Sequence, residues 1–150
     1  MSPQETFASC GFYLQPGHFS TQDFEMLTNG GELFALLRQV FYLAQDGRLF
    51  QMPRGAQTDG ISAPTVCAAV GRPHGGNDFA AGIIHDCAYR FSLQIWTDLT
   101  GWQKWDSAHG RSKPASDALL REAALACGDS EAMADTLYWA VVEWGKRCYQ

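Results

Sequence analysis

Apolar and polar positions alternate in blocks that divide this chain into a mixed N-terminal half and a helical C-terminal half. Residues 40–43 and 48–52 are two short apolar stretches separated by Gln45-Asp46-Gly47, and Asp-Gly between such runs is a strong hairpin signal. Pro53-Arg54-Gly55 then ends the second strand. Upstream, Phe12-Tyr13-Leu14 and residues 31–37 suit either strands or a short helix, which periodicity does not separate.

Gly71, Pro73, Gly75 and Gly76 mark residues 66–78 as a loop. A helix is predicted to start near Asn77-Asp78, whose short polar side chains suit an N-cap. It continues through Phe79, Ile83, Ile84, Cys87 and Phe91, a stripe at helical spacing that suits burial. Another helix begins around Pro114, with Ser112 as its cap, Leu119, Leu120, Ala123, Ala124 and Cys127 as its apolar face, and Gly128 as its stop. The last helix runs from about residue 130 to 147 through Met133, Leu137, Val141 and Trp144. These elements predict a single α+β domain over residues 1–150, mainly helical in its C-terminal half, with a small antiparallel hairpin or sheet in its N-terminal half.

Residues 92–111 interrupt the helices with Trp96, Trp102 and Trp105, three of the chain's five tryptophans. The expectation here is a long loop. Its rings either cover the core or form a lid or binding surface, since Trp suits both uses.

At 150 residues the chain is long enough to bury roughly 70% of its unfolded surface in one core. A net charge of −5 argues against a nucleic-acid backbone as partner, because that affinity comes from clustered Lys and Arg. No apolar run reaches the length of about 18 residues that a transmembrane segment needs. The start, Met1-Ser2-Pro3-Gln4-Glu5, lacks the basic and apolar parts of a secretory signal, so synthesis in the cytoplasm is expected. Five cysteines cannot all pair within the chain and none has zinc spacing, so reduced and mostly buried thiols are the expectation.

The chemistry concentrates at His85-Asp86, set inside an apolar helical run. Tyr89 lies four residues on and shares the face of His85, whereas Asp86 points about 100° away. Asp59, in Thr58-Asp59-Gly60-Ile61-Ser62-Ala63-Pro64, and Asp117 supply two further carboxylates. One imidazole and three carboxylates suffice for a metal-assisted or general-base hydrolytic site. The bland reading makes His85 and Asp86 polar residues at a helix edge and Thr58 and Ser62 ordinary turn formers around Asp59. It gives Asp117 a place in the first helical turn, opposing the dipole.

Together these motifs resemble those of a family common in bacteriophages and prophages, domain of unknown function 1353. The shared pattern is a hairpin, Pro53-Arg54-Gly55, the Thr58 to Pro64 segment, His85-Asp86-Cys87-Ala88-Tyr89, Ala115-Ser116-Asp117, and a last helix with Tyr138-Trp139-Ala140-Val141 and Trp144-Gly145. The resemblance covers roughly residues 39–147 and departs from the family at Ser116 and the Trp-bearing insert. It implies a phage-encoded protein but no settled activity.

Asp-Gly, then His-Asp-x-x-Tyr-Arg, then a later Asp is also similar to bacterial and fungal phospholipases A2. That likeness implies His85 as general base, Tyr89 and Asp117 as the residues that hold it, and calcium bound by Asp59, Asp86 and the Gly60 carbonyl. A carboxylate on one ring nitrogen fixes the tautomer and frees the other to take a proton. The enzymes are exported and carry a disulfide joining the calcium loop to the helix, where this chain has Gly60-Ile61-Ser62 and Ala80-Ala81-Gly82-Ile83.

These departures favour a noncatalytic virion or tail-assembly component that retains the His-Asp scaffold, with other virion proteins as partners and the virion as destination. The alternative is a calcium-dependent phospholipase A2-like hydrolase acting on a lipid or ester substrate. A two-metal phosphohydrolase using His74, His85, Asp86 and Asp117 ranks behind both, because His74 lies in a Gly-rich loop rather than on a helix.

Overall fold

The structure is a computed structural model that describes residues 11–14, 24–26, 34–37, 39–58, 79–147 and 149–150. Strands β1 (Gly11–Leu14), β2 (Phe24–Met26), β3 (Phe34–Leu36), β4 (Val40–Leu43), β5 (Leu49–Met52) and β6 (Gln57–Thr58) precede helix α1 (Phe79–Tyr89). After it come β7 (Gln94–Thr97), β8 (Gly101–Lys104), a 3₁₀ turn (Ser107–His109), α2 (Lys113–Ala126) and α3 (Glu131–Trp144). The two ambiguous apolar stretches of the N-terminal half hold strands β1 and β3. An α+β architecture results.

The Asp-Gly signal does what it predicts. Gly47 takes a left-handed φ of 91°, and β4 pairs antiparallel with β5, Val40 opposite Met52 and Leu43 opposite Leu49. A five-stranded antiparallel sheet is built around this hairpin in the order β1-β4-β5-β7-β8, and β2, β3 and β6 form a second sheet. Because side chains alternate across a strand, Val40 and Tyr42 enter the main core while Phe41 and Leu43 face the other side. That is why β4 reads as an unbroken apolar run.

Residues 92–111 correct the expectation of a long loop. They contain the β7–β8 hairpin, with Trp96 directly opposite Trp102 and a three-residue connection, residues 98–100, followed by Gly101 with a φ of 73°. This is the longer hairpin form that needs Gly in a left-handed position after the turn. Trp96 and Trp102 pack over Phe41, Leu43 and Leu49 on the outer face. Trp105 is buried in the main core, edge-on to Phe50 at 5.2 Å, and its indole N–H donates to the His109 carbonyl at 2.8 Å.

The helices cover the inner face of the sheet. Ser112 caps α2 by accepting from the Ala115 N–H at 3.1 Å, and Ser130 caps α3 by accepting from Met133 at 3.2 Å. Helix α2 ends at Ala126, and Gly128 follows with a φ of 98°. Helix α3 is shorter than predicted, because residues 145–147 tighten into a 3₁₀ turn. Glu122 ties the layers together, accepting from the Tyr42 hydroxyl at 2.9 Å and the Gln45 N–H at 2.8 Å. No described helix is long and apolar enough to cross a membrane.

Candidate active site

Helix α1 presents His85 and Tyr89 on one face, four residues apart, and packs against α2. From α2 comes Asp117, whose carboxylate lies between these side chains. Its Oδ1 is 3.1 Å from His85 Nε2 and also accepts the Tyr89 hydroxyl. The rings of His85 and Tyr89 touch, with centroids 4.1 Å apart. Three residues singled out from sequence therefore meet, separated by about thirty positions along the chain.

The cluster is buried: relative exposure is 7% for His85, 5% for Tyr89 and 0% for Asp117. A buried carboxylate is costly unless its lone pairs are used. Here Oδ2 accepts from the Lys113 ammonium at 2.6 Å, which completes the set. Burial by itself pushes the Asp117 carboxyl up. The hydrogen bonds from His85, Lys113 and Tyr89 together outweigh that and hold it below its ordinary value.

Asp117 is accordingly an anion, and an ionised carboxylate only accepts. His85 must then donate from Nε2, and in a neutral ring that tautomer has its lone pair on Nδ1. The first-turn reading of Asp117 is corrected as well. Helix α2 begins at Lys113, no acidic residue lies in its first turn, and the carboxylate faces inward rather than toward the helix terminus.

The end of α1 is fixed by several contacts that hold Tyr89 in place. The Ser92 N–H reaches the Cys87 carbonyl at 2.9 Å and the Phe91 N–H reaches that of Ala88 at 3.4 Å, the paired bonds of a Schellman cap. Phe91 occupies the left-handed position, with a φ of 56°. Arg111 donates to the carbonyls of Ala88 at 3.0 Å and Tyr89 at 3.3 Å, a cation at the negative end of the helix. The Tyr149 ring meets that of Tyr89 edge-on at 5.3 Å.

Gly145 closes the far side. A Cβ there would lie 3.1 Å from two Tyr89 ring carbons and closer still to its hydroxyl, so only glycine admits the ring. The sequence reading noted Gly145 without a role and overlooked Lys113 and Arg111. Lys113 and Asp117 form an i, i+4 charge pair, and that spacing was the available signal.

Asp86 is half-buried beside His85 on α1. Asp59, Gly60, His74 and the Asn77-Asp78 cap lie outside the described residues. Among the described residues no three His, Cys, Asp or Glu side chains group as a metal site would require. Burial pushes the Cys87 thiol up to about 12, which leaves it a packing residue rather than a nucleophile.

The fold is thus an α+β scaffold in which a buried carboxylate on α2 joins an imidazole and a phenol from α1. The family model described as "Protein of unknown function (DUF1353)" matches residues 34–141, and the chain belongs to that family. No curated protein and no solved structure matches it.

Proposed function

We propose that this protein is a general-base ester hydrolase with His85 as the base. The observation that carries the reading is the His85 Nε2 to Asp117 Oδ1 contact at 3.1 Å, with Asp117 ionised. It commits Nε2 to donation and leaves Nδ1 to take a proton. The Tyr89 hydroxyl on the same oxygen fixes the carboxylate from a second direction.

In this reading Nδ1 takes a proton from water while the water oxygen attacks the ester carbonyl carbon. The resulting imidazolium is stabilised by Asp117. The tetrahedral intermediate then collapses, the C–O bond to the alcohol breaks, and His85 returns its proton to the leaving oxygen. Asp86, Asp59 and the Gly60 carbonyl are hard oxygen donors whose chemistry suits calcium. When bound there, calcium would supply positive charge for the oxyanion.

A second reading keeps the cluster as a structural tie in a noncatalytic virion or tail component. The 7% exposure of His85 favours it. His85→Gln separates the two, because it keeps approximate size and hydrogen bonding but removes the base. A hydrolase loses on the order of 10²-fold or more of its fatty-acid release from short-chain phospholipid, with circular dichroism unchanged. Absence of ester turnover by the parent protein, with and without calcium, would leave the structural reading standing.

A further inference from the structure

Lys113 is out of place by the ordinary rules of helices. It is the first residue of α2, where the dipole disfavours a cation. It precedes its acidic partner by four, the weaker order for an i, i+4 pair. Local helix energetics therefore does not account for it. What does is a pair of acceptors on different elements: Asp117 Oδ2 at 2.6 Å on α2 and the Val141 carbonyl at 3.1 Å in the last turn of α3.

The Val141 carbonyl also accepts the Gly145 N–H, so the Lys113 ammonium sits at the negative end of α3, next to the glycine against which Tyr89 packs. Clamped from two sides, the ammonium has little freedom, and neither does the oxygen it holds. With Oδ2 fixed, the planar carboxylate has Oδ1 turned to α1, where His85 and Tyr89 both reach it. The groups facing Asp117 are thus His85 and Tyr89 from α1 and Lys113 from its own helix, with α3 holding Lys113 from behind.

We propose that Lys113 is a positioning residue of the site: its clamped ammonium fixes the Asp117 carboxylate so that neutral His85 keeps its proton on Nε2 alone. The consequence for turnover rests on the hydrolase reading; the tautomer itself does not. Met at this position keeps the stem and loses charge and donor, while Val141 retains its bond from Gly145. Gln keeps a neutral donor but is too short to bridge both acceptors. Arg keeps charge and reach.

The test is the nitrogen-15 spectrum of the His85 ring, recorded beside hydrolysis of a short-chain phosphatidylcholine. Expected are the Nε2–H tautomer alone in the parent and in K113R, and a mixture of tautomers in K113M and K113Q. In those two variants kcat should fall on the order of tenfold or more while KM holds, the scale of a misplaced catalytic geometry. A single parental tautomer in whichever of K113M and K113Q folds would overturn the proposal. Mixed tautomers alongside a parent that hydrolyses no ester would sink the hydrolase reading and uphold the positioning role.

Discussion

Asp117 is the residue on which the site turns, and its ionisation makes a prediction about acid stability. An acid whose folded pKa lies below its unfolded value of about 3.9 contributes stability that is full above that value. The contribution is lost as pH falls through the folded pKa. Hydrogen bonds from His85, Lys113 and Tyr89 place Asp117 in this class despite its burial. Asp117→Asn should therefore cost about 3 kcal/mol at neutral pH, because it strips the anionic partner from Lys113. The gap to the parent protein should narrow below about pH 4 as the parent's own carboxylate protonates. Melting temperatures from pH 7 to pH 2 measure it, and parallel curves throughout would mean that Asp117 gains nothing from being charged. His85, Tyr89 and Asp117 were legible in the sequence because each carries its chemistry in its type and spacing. Gly145 was not, because its role arises only where α3 meets α1; the spacing of Lys113 pointed to Asp117 but not to its second acceptor on α3.

At the scale of elements, the legible parts were those with local signals. Ser112 and Ser130 cap their helices, and Asp46-Gly47 turns its hairpin, through atoms within four residues of each other. The β7–β8 hairpin was missed because its connection lacks an Asn-Gly or Asp-Gly pair and is followed instead by a left-handed Gly101. The cap of α1 runs against local preference, since Phe91 holds a position that glycine ordinarily takes. A left-handed backbone costs a side-chain-bearing residue roughly 1–2 kcal/mol. The compensation is the Phe91 ring, which lies 4.6 Å from the Arg111 guanidinium and 5.0 Å from the Lys104 ammonium. Phe91→Ala keeps the strain and loses the ring, whereas Phe91→Gly loses both. Urea unfolding should accordingly find the glycine variant more stable than the alanine one by about 1 kcal/mol, the reverse of their usual helical order. Alanine proving the more stable of the two would show that the strain is relieved some other way.

For the whole molecule, the α+β division was readable because apolar periodicity changes from strand-like to helix-like along the chain. The assignment of strands to sheets was not, since it depends on pairings between distant segments, such as β5 with β7 across the whole of α1. The calcium proposal has the same long-range character. It would join Asp86, on a helix packed into the core, to Asp59 and Gly60 some twenty-five positions earlier, a set of donors that an unfolded chain would not hold together. A cation bound by such a set binds the native state and not the unfolded one, and it stabilises by about 2.7 kcal/mol when present at a hundred times its dissociation constant. Thermal melting should therefore rise with millimolar calcium in the parent protein. Asp86→Asn and Asp59→Asn should each weaken that response. Magnesium should substitute poorly, because it demands near-ideal octahedral geometry and gives up its water reluctantly. The His85→Gln protein should still respond, since the ring is not among the proposed ligands. That last result separates the cation from the base: a response lost in His85→Gln but kept in Asp86→Asn would place the ion on the imidazole and remove Asp86 from the site.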